Sequence, residues 1–348
     1  ATSVFLLAGL ALLAFTCRSV GWTDLVEAVR SVGGPGVLVF LCVYPLACAW
    51  DVAGWQVLFP AEAAGRVRYT ALYWIRLAGE AINSVTPFAD VGGEPLKTAL
   101  SAERFGISRR AALSSVLAGR AVLLYSEVVF WALGLALVWP RLPSTGPWPM
   151  VMMATLCAGA GLAAAVYAIQ RGGVERIVTG LCSLVRLPLS DRLREGLREA
   201  DRHVAEIYTA RVGAFWISLA LHLAGWIAGA GEIYVIFVFC GVDAGWTEAL
   251  VLEALLHLTK TASFFVPGNI GAQEAGLALG ASWMGVSPAL GVAISLLKRC
   301  RQIVWGLAGM AALGLYRRAL SGNAKDPGII QKQTSGDESQ EAATIIEK

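Results

Sequence analysis

The apolar positions of this chain fall into long runs rather than the short alternations typical of a soluble protein. Six runs are long enough, or nearly long enough, to cross the hydrocarbon core of a bilayer as helices. They lie near Thr2–Cys17, Gly34–Phe59, Ala111–Trp139, Trp148–Ala168, Val212–Cys240 and Val286–Tyr316. The pattern therefore predicts an all-α polytopic membrane protein with about six crossing helices.

Two other stretches of the chain repeat each other at nearly the same spacing. Each contains a proline, a glutamate seven positions later, a Gly-x-Ser triplet, and an arginine inside the apolar helix that follows. In the first copy these residues are Pro87, Glu94, Gly106, Ser108 and Arg120, and in the second they are Pro267, Glu274, Gly285, Ser287 and Arg299. Paired internal repeats with interrupted hydrophobic segments are typical of secondary transporters.

The basic residues indicate how the chain is oriented in its membrane. The segment between Arg171 and Arg211 holds eight arginines, and further ones precede Ala111 and follow Tyr316. Because cytoplasmic loops are enriched in Arg and Lys, these loops and both termini are predicted to be cytoplasmic, in the inner membrane of a bacterium. Residues 69–97 then begin and end inside, and residues 246–283 begin and end outside. Each segment is therefore predicted to be a re-entrant helical hairpin, in two repeats of inverted topology.

This topology divides the chain into segments. Residues 1–170 contain the first repeat and, at 148–170, the first helix of the second repeat, which continues over 212–318. Residues 171–211 form a predicted cytoplasmic amphipathic connector, and 319–348 a predicted disordered cytoplasmic tail. The apolar stripe of the connector is expected to lie on the inner leaflet, attracted by anionic lipid. That stripe comprises Leu193, Leu197, Ala200, Val204 and Ile207.

Composition supports the membrane class and excludes several other functions. Apolar residues make up 56% of the chain and charged residues 15%, with a net charge of +3 and a mean hydropathy of +0.62. The small net charge and scattered basic residues give no support to nucleic-acid binding. The seven cysteines show no metal or redox spacing, so neither a metal nor another cofactor is predicted. The sequence contains no nucleotide-binding motif, so any driving force is expected to be an ion gradient or the lipid gradient itself.

The predicted hairpin tips contain residues that interrupt a helix. They are Pro87, Gly92 and Gly93 in the first copy and Pro267, Gly268 and Gly271 in the second. Proline removes a backbone donor and glycine permits positive φ. The short helix after each tip is expected to point its N-terminus inward, which favours an anion.

Arg120 and Arg299 are predicted to lie near the bilayer midplane, where each costs about 2.5–3.5 kcal/mol. One interpretation is structural: Glu94 and Glu274 pair with them and lock the hairpins. The other is that both arginines face one cavity and bind an anionic head group. A pair that opens when the anion arrives would reconcile the two, with the glutamates alternately neutralising the arginines or carrying a coupling proton.

Further polar residues are candidates for the same cavity. Asn83, Ser84, Asp90 and Asn269 are expected to line it. Glu80 and Lys260 occupy equivalent repeat positions with opposite charge, which predicts a contact between the hairpins. Lys298 and Arg301 either snorkel or pair with acids on neighbouring helices. His222 and His203 are interpreted as a satisfied helix histidine and an exposed loop residue rather than ligands.

The motifs around the two tips also carry a family resemblance. The run Gly79–Pro87 with Gly92-Gly93-Glu94, and the run Phe264–Glu274, resemble the two signatures of a flippase-like family. That family includes the transmembrane domain of the lysylphosphatidylglycerol synthases, and Arg120 and Arg299 fall where its helices carry arginine. Within it, the chain looks closest to membrane proteins linked to hopanoid biosynthesis. The resemblance covers roughly residues 34–316.

The resemblance implies movement of a lipid, often an amino-acylated, glycosylated or polyprenyl one, between leaflets. No soluble acyltransferase domain follows Tyr316, so lipid synthesis is not implied. We therefore expect a lipid transporter working by alternating access, with a membrane lipid as substrate and no nucleic-acid partner. The sequence leaves open whether the protein forms a homo-oligomer. The alternatives are an intramembrane lipid-modifying enzyme, with Glu94 and Glu274 as acid and base, or a scaffold for lipid-biosynthesis enzymes.

Overall fold

The computed structural model describes residues 2–85, 92–143, 146–184, 191–263 and 266–323, and within these ranges all regular structure is helical. The helices are α1 (Thr2–Val20), α2 (Trp22–Val57), α3 (Ala61–Ala64), α4 (Tyr69–Val85), α5 (Glu94–Phe105), α6 (Arg109–Val138), α7 (Trp148–Gly172), α8 (Val174–Leu184), α9 (Asp191–Thr209), α10 (Val212–Cys240), α11 (Trp246–Ala262), α12 (Ala272–Trp283) and α13 (Pro288–Asn323). Two short 3-10 turns lie at Trp139–Arg141 and Pro267–Asn269. The predicted all-α class is confirmed.

Four of the described helices are long and apolar enough to cross a membrane. They are α2, α6 with the turn that follows it, α7 and α10. Helix α2 is interrupted at Gly33, whose φ of 64° and ψ of 169° are not helical. Helix α13 has the length to cross, at 36 residues, but carries Lys298, Arg299 and Arg301 in its first half. It continues to Asn323, so the predicted tail does not begin at residue 319, and the chain beyond 323 lies outside the described residues.

The two predicted hairpins consist of helices of matching length. Helices α4 and α11 each have 17 residues, and α5 and α12 each have 12. At 1.5 Å per residue they measure about 26 and 18 Å, less than the ~30 Å of a hydrocarbon core. Each pair can therefore enter a membrane and return by the same face. The second hairpin has the predicted limits, whereas the first extends beyond residue 97 to Phe105.

The two copies pack against each other in a swapped arrangement. Helix α4 of the first hairpin packs on α13 of the second repeat, and α11 of the second hairpin packs on α6 of the first. Helices α2 and α10, which precede the hairpins, pack together. Glycines permit close approach at both swapped crossings: a Cβ at Gly309 would lie 2.5 Å from O of Leu77, and one at Gly134 would lie 2.2 Å from Cβ of Ala254. A pseudo-two-fold relation between the copies produces such paired contacts.

The connector helix α9 packs three residues of its apolar stripe onto the protein. Val204 and Ile207 are buried in one cluster with Ala118 and Val122 of α6, and Leu197 is buried as well. An amphipathic helix is present, but the expectation that this stripe lies on the inner leaflet is wrong for these residues, because neighbouring helices cover them. Contact between anionic lipid and the basic face of α9 stays a prediction, as do the boundaries of the repeats.

Candidate functional site

The second hairpin is closed by an ion pair between Glu274 and Arg299. Nε of Arg299 lies 2.6 Å from Oε1 of Glu274 and Nη2 lies 3.2 Å from Oε2, so the pair is bidentate. The same guanidinium donates to two carbonyls of the tip, Gly268 O at 2.7 Å and Asn269 O at 3.1 Å. Arg299 therefore ties helix α13 to the tip, as the structural interpretation of this pair expected.

Glu274 is enclosed by donors on every side. Its side chain is 0% exposed, and it accepts hydrogen bonds from the Gly271 amide at 2.8 Å and the Ser295 hydroxyl at 2.7 Å, besides those from Arg299. The Gly271 amide faces the carboxylate in a tip whose Gly268 and Gly271 have φ of 63° and 81°. The predicted role of these two glycines in breaking the helix is confirmed.

The equivalent pair in the first copy is not formed. Oε1 of Glu94 accepts instead from Nζ of Lys97 at 3.1 Å, one turn along α5. Arg120 is half-buried, and its guanidinium has no hydrogen bond and no carboxylate within 4.0 Å among the residues that the structure describes. Two sites related by sequence thus adopt opposite arrangements.

Arg120 lines a cavity between the first hairpin and helices α2, α6 and α10. Its other charged lining residues are Asp51, Arg76, Glu94 and Lys97, with His222 beside them, and its apolar wall includes Trp55, Val116 and Leu123. Three cations therefore face two carboxylates. In this conformation Arg299 is not part of the lining, so the two arginines do not share one cavity as expected. Arg299 is held away because its donors already bind the second tip.

The cavity has a fixed wall of paired charges, which includes a residue that the sequence did not single out. Nε of Arg76 lies 2.5 Å from Oδ2 of Asp51, and its Nη1 donates to the Tyr44 hydroxyl at 3.1 Å. Oδ1 of Asp51 lies 2.7 Å from Nδ1 of His222. Neither ring nitrogen of this buried histidine has a hydrogen-bond partner of good geometry among the described residues, so the prediction of a satisfied helix histidine is not confirmed. Arg76 could have been found from its spacing, because it lies one helical turn before Glu80 on α4.

Glu80 connects the two hairpins electrostatically. It interacts with Arg76, Lys97 and Arg120 around the cavity, and with Lys260 on α11. Glu80 and Lys260 therefore interact at a distance, and the predicted contact between them stays a prediction. The interaction places the second hairpin within electrostatic reach of the cavity at the first.

The remaining predicted lining residues serve the hairpins themselves or lie outside the described chain. Oδ1 of the buried Asn83 accepts from the Gly93 amide at 2.6 Å, which joins α4 to the start of α5. The Asn269 amide lies 2.8 Å from the Ser263 hydroxyl, within the second tip. Pro87 and Asp90 lie outside the described residues, as does the side chain of Ser84.

Comparison with known proteins identifies the family of the chain. Residues 2–309 match the family model described as the lysylphosphatidylglycerol synthase TM region. The chain belongs to this family. It is also similar to a UPF0104 membrane protein of Methanothermobacter thermautotrophicus, with 22% identity over 343 residues, covering 93% of this chain and 98% of that relative. No solved structure matches significantly.

This member of the lysylphosphatidylglycerol synthase TM family has a second, more deeply buried charged cluster. Nζ of Lys298 lies 2.6 Å from Glu253 and 2.7 Å from Glu232, and Nη1 of Arg301 lies 2.6 Å from Glu232. Glu232, Glu253 and Lys298 are almost fully buried. Lys298 and Arg301 therefore pair with acids on neighbouring helices, the second of the two options that the sequence left open.

Gly93 is required at the first hairpin for close packing. Its φ of −80° is open to any residue, so the expectation of positive φ at this glycine is wrong. A Cβ there would lie only 2.1 Å from the backbone oxygen of Gly79. We expect Gly93→Ala to force the hairpin helices apart and to lower the free energy of unfolding by about 1–3 kcal/mol. Thermal unfolding of the purified variant measures this.

Gly65→Ala is the matched control, because nothing lies within 4 Å of a Cβ at Gly65. We expect that variant to be as stable as the parent protein. Equal stability of Gly93→Ala and Gly65→Ala would contradict the tight contact between the two hairpin helices.

Proposed function

We propose that this protein moves an anionic lipid between membrane leaflets by alternating access, with Arg120 binding the head group. The main support is the asymmetry of the two copies. Arg299 forms an ion pair with Glu274, whereas Arg120 faces a cavity and Glu94 forms its ion pair with Lys97. Alternating access requires two inverted halves to adopt opposite states, since exchange of those states exposes the site to the other side.

The charges of the cavity favour an anion. Among the lining residues Arg76 is bound to Asp51 and Lys97 to Glu94, so Arg120 is the cation of the lining without a carboxylate within 4.0 Å. Glu80 acts on all three cations from outside the lining. A guanidinium presents a planar fork of donors that matches phosphate or carboxylate oxygens. Helix α5 begins at Glu94 in the cavity wall, and the partial positive charge of its N-terminus adds to the attraction.

Glu94 and the head group would compete for the same arginine. When the cavity is empty, Glu94 can exchange Lys97 for Arg120 and form the arrangement that Glu274 and Arg299 already have. An arriving anion displaces the carboxylate and reopens the pair. This exchange gives the lipid different contacts in the two states, which any population shift requires.

Glu274 favours transport over intramembrane lipid chemistry. A general acid or base must be free to exchange a proton with the substrate. Glu274 instead accepts hydrogen bonds from Arg299, Ser295 and the Gly271 amide in a fully buried position. Turnover of labelled lipid by the purified protein in detergent, where no leaflets exist, would favour the enzyme instead.

We place the connector and the start of α6 together on the cytoplasmic side. Nη1 of Arg110 lies 2.5 Å from Glu199 of α9, and this hydrogen bond lowers the pKa of the Glu199 carboxyl. The two arginine-rich segments therefore share one side of the protein, as the positive-inside rule expects. A green fluorescent protein fused to the C-terminus should fluoresce. A dark fusion, together with activity of a C-terminal alkaline phosphatase, would reverse the orientation.

Removal of the Arg120 charge tests the proposed function. The assay is translocation of acyl-labelled fluorescent phosphatidylglycerol in phosphatidylcholine proteoliposomes. We expect Arg120→Ala to slow it about 10- to 100-fold, since a charged hydrogen bond contributes about 1.5–3 kcal/mol. Arg109→Ala removes the same charge from the exposed first turn of the same helix and should retain the parent rate. A folded Arg120→Ala protein that translocates at the parent rate would refute the role of Arg120.

A further inference from the structure

A titratable cluster lies at the crossing of α6 and α11, separate from the lining of the cavity. Nδ1 of His257 lies 3.7 Å from Oε1 of Glu127, and its Nε2 lies 3.4 Å from Oε1 of Glu253. The imidazole packs against the ring of Trp226, with the ring centroids 4.4 Å apart. His257 is thus held between two carboxylates on a largely apolar interface.

This placement favours the protonated imidazole. A neutral imidazole has one N–H donor and one acceptor nitrogen, so it can donate to only one of the two facing carboxylates. The other carboxylate would then face a lone pair. The imidazolium presents an N–H to each side, and its positive charge attracts both Glu127 at 3.7 Å and Glu253 at 3.4 Å, which are ion-pair rather than hydrogen-bond distances.

The charges around His257 are unbalanced unless it carries a proton. Lys298 bridges Glu253 and Glu232, and Arg301 binds Glu232 through both carboxylate oxygens. No Lys or Arg of the described chain lies within 4.0 Å of Glu127. Three carboxylates therefore face two fixed cations, and one proton on the histidine makes the set neutral.

Of the described residues, those that α7 and α12 bring to this crossing are uncharged. Helix α7 contributes Met152 and Leu156 to the interface, and α12 places Gly276 against Thr259. Lys260 lies one turn further along α11, where it interacts with Glu80. The titration of His257 is therefore governed by the acids on α6 and α11 and by the cluster behind them.

We propose that Glu127, His257 and Glu253 form a proton-binding site whose occupancy drives the lipid site. A hydronium ion transfers its proton to the free nitrogen of the imidazole: one N–H bond forms, one O–H bond of the hydronium breaks, and water is left beside the imidazolium. Glu127 lies seven residues after Arg120 on α6, two helical turns along the same face. A change of charge at His257 therefore affects Arg120 through helix α6 and Lys260 through helix α11. The proposal that this site binds a proton does not depend on the proposed function, whereas its coupling to lipid movement rests on that function.

Proton binding can be measured without any transport. The chain has three histidines, His203, His222 and His257, so the full-length protein labelled with 15N-histidine in nanodiscs gives three imidazole spectra that can be followed with pH. His257→Gln assigns the signal of interest. If that variant does not fold, the signal that moves in Glu127→Gln assigns it instead.

The spectra are recorded from about pH 5 to 9, and we expect the His257 signal to change over this range as the imidazole takes up one proton. Glu127→Gln removes a facing carboxylate and should move its titration midpoint about 1 pH unit lower. His203, which lies 3.6 Å from Glu206 on the connector, serves as the internal control and should not change. An unchanged His257 spectrum over this range, or an unchanged midpoint in Glu127→Gln, overturns the site.

Transport tests the coupling. A pH gradient across the same phosphatidylcholine vesicles should accelerate phosphatidylglycerol translocation several-fold in the parent protein and in His203→Gln, but not in Glu127→Gln. A parent rate that ignores the gradient overturns the coupling and leaves proton binding intact. If the parent moves no lipid at all, the proposed function fails, while the spectra still decide the proton site.

Discussion

Arg299→Ala is expected to destabilise the protein by about 3–5 kcal/mol, because it leaves the fully buried Glu274 without its counter-charge. The same change at Arg120 removes no described hydrogen bond or ion pair, so its cost should stay below about 1 kcal/mol. Removal of the two arginines, which lie at equivalent repeat positions, is therefore expected to change the free energy of unfolding by very different amounts. Thermal unfolding followed by the fluorescence of the twelve tryptophans measures both variants.

A second substitution identifies the cause of the loss at Arg299. In the Arg299→Ala background, Glu274→Gln removes the uncompensated charge, so the double variant should recover part of the lost stability. Equal stability of Arg299→Ala and Arg120→Ala would show that the closed pair at the second tip does not hold the hairpin.

Lys298→Met should be at least as destabilising as Arg299→Ala. Lys298 is 3% exposed and lies between Glu253 and Glu232, so its removal leaves Glu232 with Arg301 and Glu253 with His257 as the remaining ion-pair partners. The expected cost is about 3–5 kcal/mol, seen as a lower unfolding temperature and a lower yield of folded protein. Replacement by a side chain of similar length keeps the packing, so the loss reports the charge.

The matched control for Lys298→Met lies on the same helix. Cys300 is exposed, and Cys300→Ala should leave the unfolding temperature unchanged. Glu253→Gln should restore part of the stability that Lys298→Met loses, because it removes the charge of one of the two carboxylates that lose their lysine partner. Normal stability of Lys298→Met would mean that these carboxylates bind protons in the folded protein instead of depending on the lysine.

Much of the architecture could be predicted from the sequence. The distribution of basic residues predicts both hairpins, and the repeat spacing predicts the equivalence of Glu274 with Glu94 and of Arg299 with Arg120. The apolar runs identify the long helices because length and hydropathy are local properties of the chain. The closed pair at the second tip agrees with one of the two interpretations that the sequence allows, since an arginine at membrane depth calls for a counter-charge. The same pattern in the first copy does not form the pair.

The unequal state of the two copies could not be predicted from sequence. Glu94 can bind either Lys97 on its own helix or Arg120 on the next one, and only the packing of the first hairpin decides. Arg76 was missed because a single arginine in an amphipathic helix looks like a solvated residue. The connector was misplaced because an apolar stripe does not reveal whether protein or lipid covers it.

The exchange of partners between α4 and α13, and between α11 and α6, constrains how such a chain could have arisen. A gene encoding one half alone would make a product that lacks the surface its own hairpin needs. It would fold only by association with another copy inserted in the opposite orientation in the same bilayer. An ancestral dimer of mixed orientation, later fused into one polypeptide, satisfies that requirement.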